Sequence, residues 1–406
     1  MPLPSAAQYR RMLDRQHEEP TSDRAPAMSR PVPDRRRWGG WRFALAIAGA
    51  VAIPARAQLP PARDAISRAI SAATAAGAAG EIALADLKGV VADSAFGHAD
   101  RARGRGHRVG ARWIWGSVTK QLTALLVMQE VSAGRLSLDG TIRDYLPTFS
   151  GSTGGAITVR QLLQHQSGLP NPDNTRPDAM GTPRFYTERG RGISNAARAV
   201  GFCAGPVTAP AGGPFSYNNC DYLLVGAILE RVSGMSFAAL VRARIAGPLR
   251  LSSVRVAPDG AVRGGAAAIG YAEGGRPPTE VNVATFGAAG ALTGTATDLL
   301  LLDRAMLQGR LLSGAARDTL WHGIPAVGYQ ALGVWAFPAT LRGCPAPVTL
   351  VERRGSVAGI QVRNILAPAL GRSLAVFVND DAIEFGEIWQ GQGLAFDMMS
   401  AVFCPA

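Results

Sequence analysis

The sequence predicts an α/β protein of the α+β kind. An antiparallel sheet is built from the N- and C-terminal segments, flanked by helices, with a mainly helical region inserted between them. Three observations predict this. Two β-like runs joined by a tight turn lie near the start, three more lie near the end, and helical stretches broken by Gly- and Pro-rich loops fill the middle.

In chain order, residues 62–76 are Ala-rich and read as a first helix. Residues 81–87, a Lys88-Gly89 turn and residues 90–96 read as a hairpin. A Gly/Arg-rich loop over 101–110 precedes an apolar helix opened by Ser117 and running to Val131, with Gly134 as its stop. The loop Pro210-Ala211-Gly212-Gly213-Pro214 leads through Phe215-Ser216-Tyr217-Asn218-Asn219 into a second strong helix, 221–232, ending at Gly234. Short β-like runs follow at 349–353, 360–366 and 373–378, and 383–403 reads as a closing helix. No internal repeat is apparent.

The 406 residues suffice for a sizeable core, and 47% hydrophobic with 18% charged content is that of a globular protein. The net charge of +12 is not a nucleic-acid footprint. Residues 1–57 supply +5 of it, and the remaining arginines are scattered rather than interleaved with aromatics. Only two lysines occur, Lys88 and Lys120, so Arg serves wherever a plain positive charge is wanted. A lysine in that background raises the question of whether it must sometimes be neutral, as Arg cannot be.

Residues 1–57 read as a polar tail followed by a signal peptide, and 58–406 as the working domain. Arg35-Arg36-Arg37, the apolar run 43–53 and Ala55-Arg56-Ala57 give a charged start, a short apolar stretch and an A-x-A site. Cleavage after Ala57 would place the protein in the periplasm or outside the cell with no stable membrane span, since the run is short for one. The four cysteines, Cys203, Cys220, Cys344 and Cys404, all lie beyond that site. Proximity favours Cys203–Cys220 and leaves Cys344–Cys404; buried free thiols are the alternative. The dispersed histidines form no metal-binding spacing, so neither a metal nor another cofactor is expected.

Three motifs carry chemistry. In Ser117-Val118-Thr119-Lys120, the i and i+3 side chains are neighbours on a helix. A serine hydroxyl needs a base, and a buried lysine amine with a lowered pKa can be one. Tyr217 can pass protons to a leaving group, and Asn219 can orient the lysine and bind a substrate amide. In Glu352-Arg353-Arg354-Gly355-Ser356, a basic side chain can bind a substrate carboxylate, Gly355 lets substrate backbone approach, and the Ser356 N–H can complete an oxyanion hole. Each motif alone also fits a plain structural reading: an N-cap serine, an N-cap Asn219, a charged edge strand.

Together and in this order they resemble the serine β-lactamase-like family of class C β-lactamases, D-alanyl-D-alanine carboxypeptidases and related esterases. The likeness extends to Leu162-Leu163-Gln164-His165-Gln166-Ser167-Gly168-Leu169-Pro170 and to Ala289-Gly290-Ala291-Leu292. It implies a β-lactamase/transpeptidase-like fold and acyl transfer through a covalent acyl-Ser117. Lys120 and Tyr217 would share the base role, with Asn219, Arg353, Gly355 and Ser356 in the substrate cleft. His165 reads as a structural histidine holding a loop. The family's third motif usually begins with Lys or His; Arg353, or Arg354 if the register shifts by one, stands there instead. Arg cannot relay a proton, which turns the expectation toward a peptidase or esterase rather than an efficient lactamase. The substrate would be a small molecule or peptide: a cell-wall D-Ala peptide, a β-lactam or a small ester. The competing reading is an inactive module that binds cell-wall peptides. Oligomeric state is not legible.

Overall fold

The computed structural model describes residues 61–404 apart from 180, 261–266, 276–277 and 279. The expected N-terminal tail, signal peptide and cleavage after Ala57 lie outside the described residues.

The main sheet has six strands: β1 (Gly80–Asp86), β2 (Val90–Phe96), β3 (Trp335–Ala339), β4 (Val348–Val357), β5 (Ile360–Ala367) and β6 (Arg372–Val378). Their order is β2-β1-β6-β5-β4-β3, and every pairing is antiparallel. The two ends of the chain meet where β1 lies against β6, with Gly80 opposite Val378 and Leu84 opposite Leu374. The sheet therefore closes only after the inserted region has been threaded between its halves.

Alternation along the strands divides the core in two. Ile82, Leu84, Leu374, Val376 and Val378 face the terminal helices α1 (Ala62–Ala75) and α5 (Leu394–Phe403). Ala83, Ala85, Ala375 and Phe377 face the inserted region. At its centre is α2 (Thr119–Ser132), buried on every side from Thr119 to Met128, which is where a helix apolar all round must sit. Packed with it in the same core are α3 (Asn219–Ser233) and α4 (Ala296–Leu307).

Three expectations change, and one strand is new. Helix α2 begins at Thr119, and Ser117 lies in a 3-10 turn, Gly116–Val118, that leads into it. Asn218, not Asn219, caps α3, accepting from the Cys220 N–H at 2.9 Å. The closing helix is only Leu394–Phe403, because Gly391 and Gly393 adopt positive φ and break the run. Strand β3 was not legible; it is an edge strand, which is why it tolerates Pro338. Both expected disulfides are present, Cys203–Cys220 and Cys344–Cys404. Among the described residues no single helix is long and apolar enough to cross a membrane.

Candidate active site

The site lies where the turn before α2, the loop before α3 and strand β4 converge. Trp115 N–H donates to Leu292 O at 2.9 Å and anchors the turn. Gly116 follows with φ +51°, and a Cβ there would stand 3.2 Å from the Ser356 nitrogen. A Cβ on Gly355 would lie 2.3 Å from Trp115 O. The two glycines let the strand press against the turn. Gly355 thus answers first to the protein's own backbone, a closer demand than the substrate approach expected of it.

Ser117 is half-buried, and the groups around it are withdrawn from solvent. Lys120 is fully buried. Its Nζ lies 3.2 Å from Ser117 Oγ, 2.6 Å from Tyr217 Oη, 2.7 Å from Asn219 Oδ1 and 2.9 Å from the Ala289 carbonyl oxygen. The last two atoms can only accept, so they take two N–H groups. The rest of the nitrogen faces the two hydroxyls. Burial holds the Lys120 pKa well below the ordinary lysine value, with the Arg353 charge adding to the effect against Asp173 and Asp221. In a neutral amine, the lone pair would point at Ser117 and Tyr217.

Asn219 is oriented by its own partners. Tyr186 Oη donates to Asp173 Oδ1 at 2.5 Å and so accepts from Asn219 Nδ2 at 2.9 Å, which turns Oδ1 toward Lys120. Neither Tyr186 nor Asp173 was legible as a site residue, since each is distant in sequence from all three motifs. The Ala289 carbonyl belongs to the Ala289-Gly290-Ala291-Leu292 segment, whose residue types carry no sign of this contact. Asn171 was also missed; its Nδ2 donates to Tyr217 O at 3.1 Å and helps fix the tyrosine loop.

Tyr217 Oη sits 2.5 Å from Ser117 Oγ. Behind it lies His165, fully buried, with ring centroids 4.6 Å apart. His165 Nδ1 lies 3.3 Å from the Asn218 nitrogen and 3.0 Å from Asp221 Oδ2. Burial raises Asp221 well above the usual carboxylate range and lowers His165, disfavouring the charged form of each. His165 O accepts from Ser216 N–H, so the histidine braces the tyrosine loop, as expected.

Strand alternation settles the register of the third motif. Arg353 points into the site, where its Nε donates to Ser117 O at 3.0 Å and its Nη2 to Tyr217 Oη at 3.3 Å. Arg354 points away and is held by Glu352 and Glu387. Ser356 is exposed, with its backbone nitrogen beside the Ser117 turn.

A family model described as Beta-lactamase matches residues 62–381. The chain belongs to the Beta-lactamase family. Penicillin-binding protein 4 of Amycolatopsis lactamdurans is 30% identical over 241 residues, 55% of this chain and 59% of that protein. A D-aminopeptidase of Cereibacter sphaeroides is 29% identical over 172 residues, 42% of this chain and 31% of that one. The chain thus matches between 31% and 59% of these relatives' own length. A D-stereospecific amidohydrolase from Streptomyces sp. superposes with TM-score 0.63 at 24% identity, covering 85% of this chain and 99% of that one. The last comparison supports the expected fold alone.

Proposed function

We propose that this Beta-lactamase family member is an exported serine hydrolase that cleaves a small amide or ester through an acyl-Ser117 intermediate. The observation that carries the reading is the buried Lys120, whose two pure acceptors leave one side of its nitrogen for Ser117 and Tyr217.

Neutral Lys120 takes the Ser117 proton, directly or through Tyr217, as Oγ bonds to the substrate carbonyl carbon. The carbonyl oxygen becomes an oxyanion received by the Ser117 and Ser356 N–H groups. When the intermediate collapses, the bond to the leaving group breaks, and Tyr217 hands that group the proton stored on Lys120. Water then repeats the sequence in reverse, freeing the acid and Ser117. Asn219 holds the amine in place and lines the cleft. The D-aminopeptidase relative makes a D-amino-acid amide a first substrate to try, beside an activated ester and a penicillin. Export rests on the Arg-rich and apolar start of the sequence together with the two disulfides.

Incubation with a fluorescent penicillin, an activated ester and D- and L-amino-acid amides tests the proposal. Wild type should turn over at least one of them and carry a mass adduct that Ser117→Ala lacks. Folded wild-type protein that neither reacts nor carries an adduct would overturn it.

A further inference from the structure

A basic residue at the start of the third motif invites the role of a grip for substrate carboxylate, but such a grip needs N–H groups open to the cleft. Arg353 is closed off from solvent. It is 1% exposed, and two of its nitrogens are engaged within the chain: Nε on the Ser117 carbonyl, Nη2 on Tyr217 Oη. Nη1 is buried without a hydrogen-bond partner, and the guanidinium carbon lies 5.0 Å from the Trp335 ring centroid, within cation–π range. A carboxylate that took Nε or Nη2 would break one of the two bonds that locate the nucleophile and the phenol.

We propose that Arg353 is a positioning residue that braces the Ser117 turn against Tyr217, and that the site therefore selects an uncharged amide or ester over a free carboxylate beside the scissile bond. This rests on the acyl-Ser117 reading. Arg suits the brace where Lys would not, because its planar fork addresses two acceptors at once, one on the turn and one on the tyrosine loop. Among the described residues no carboxylate pairs with it, so its charge is left to act on Lys120. A cation there raises the cost of a second cation at Lys120. The brace thus positions the nucleophile and favours the neutral base.

The test begins with wild type and needs no variant. Two thioesters are compared, N-acetyl-D-alanyl thioglycolate with its free carboxylate and the methyl ester of the same compound, each rate divided by its rate of hydroxide hydrolysis. The methyl ester should be favoured in kcat/KM by about tenfold. An equal rate, or a preference for the carboxylate, overturns the inference. Arg353→Lys and Arg353→Met then separate bracing from gripping. Bracing predicts that kcat falls by about 10²-fold on both thioesters while KM is little changed. A rise in KM confined to the carboxylate would contradict it. Arg353→Met should also move the acid limb of the kcat profile to higher pH, because protonated Lys120 is no longer repelled, whereas Arg353→Lys should not. Should either variant fail to fold, the wild-type comparison still decides. Ser117→Ala run on the same pair keeps the failures apart. Turnover that survives in Ser117→Ala sinks the acyl-Ser117 reading, while Ser117-dependent turnover with a carboxylate preference sinks only the role given to Arg353.

Discussion

Arg353 and Arg354 are neighbours on one strand and lead opposite lives. Arg353 points at the Ser117 turn and has two neutral oxygen acceptors and, among the described residues, no carboxylate partner. Arg354 points to the other face, where Glu352 and Glu387 bind it through four contacts of 2.6 to 2.9 Å. Arg363 joins the same cluster through Glu352 at 2.7 Å. On that face the charges cancel. Burial alone would raise the Glu352 carboxyl, yet Arg354 and Arg363 outweigh it and hold its pKa down to about 2. On the Ser117 face no carboxylate among the described residues pairs with Arg353, and its charge acts on Lys120. Residue type is the same in both cases. Partners decide whether an arginine holds the fold together or tunes a base.

The most damaging change to this contrast is Lys120→Arg, which places a second permanent cation beside Arg353. Turnover of an activated ester should fall on the order of 10³-fold, since the base can no longer accept a proton. Equal turnover would break the role given to that lysine. Arg354→Met should do the reverse: kcat per folded molecule holds, while stability in urea at pH 7 falls by about 3 kcal/mol, because Glu352 loses a partner in a buried site. The sign with pH follows from Glu352. Its pKa is depressed from 4.5 to about 2, so the stability it contributes is present above 4.5 and lost as pH falls toward 2. The gap between wild type and Arg354→Met should therefore narrow across that window, and a gap independent of pH would contradict the pairing.

The smallest effect belongs to Asp303, buried on the Arg353 side of the sheet with Gln121 and Asn364 as neutral partners. Burial raises its pKa from 3.8 to about 7, against the two amide bonds that lower it. The folded state keeps a proton that the unfolded chain releases, so stability falls as pH rises from about 4 to 7. Asp303→Asn should gain about 1–2 kcal/mol at pH 8 and nothing at pH 4, read from thermal or urea unfolding at both. A gain at pH 4 equal to that at pH 8 would rule out a titrating Asp303.

What the sequence could show follows from how local each feature is. The hairpin of β1 and β2, the run through Lys120 and the start of α3 at Tyr217-Asn218-Asn219 are set by patterns a few residues long, and they stand close to where they were expected. The rarity of lysine pointed to Lys120 before any contact was known. What escaped depends on distant partners. Tyr186 and Asp173 orient Asn219 from separate loops, and Ala289 contributes only a carbonyl, which leaves no mark on residue type. Trp335, whose ring lies near both Arg353 and Arg354, stands on an edge strand whose proline masks it in the sequence. Gly391 and Gly393 cut the closing helix short against an apolar pattern that would have run through them.

The central claim is that Lys120 is held as a neutral amine against Ser117. The chain's two lysines allow this to be read directly. In protein labelled with ¹³C at lysine Cε, NMR titration should give two signals, with the Lys120 signal assigned by its loss in Lys120→Arg. The Lys120 signal should titrate well below the ordinary lysine pKa of about 10.4 and in step with the acid limb of kcat. A Lys120 signal that remains ammonium-like up to that ordinary value, in enzyme that is active at neutral pH, would contradict the account.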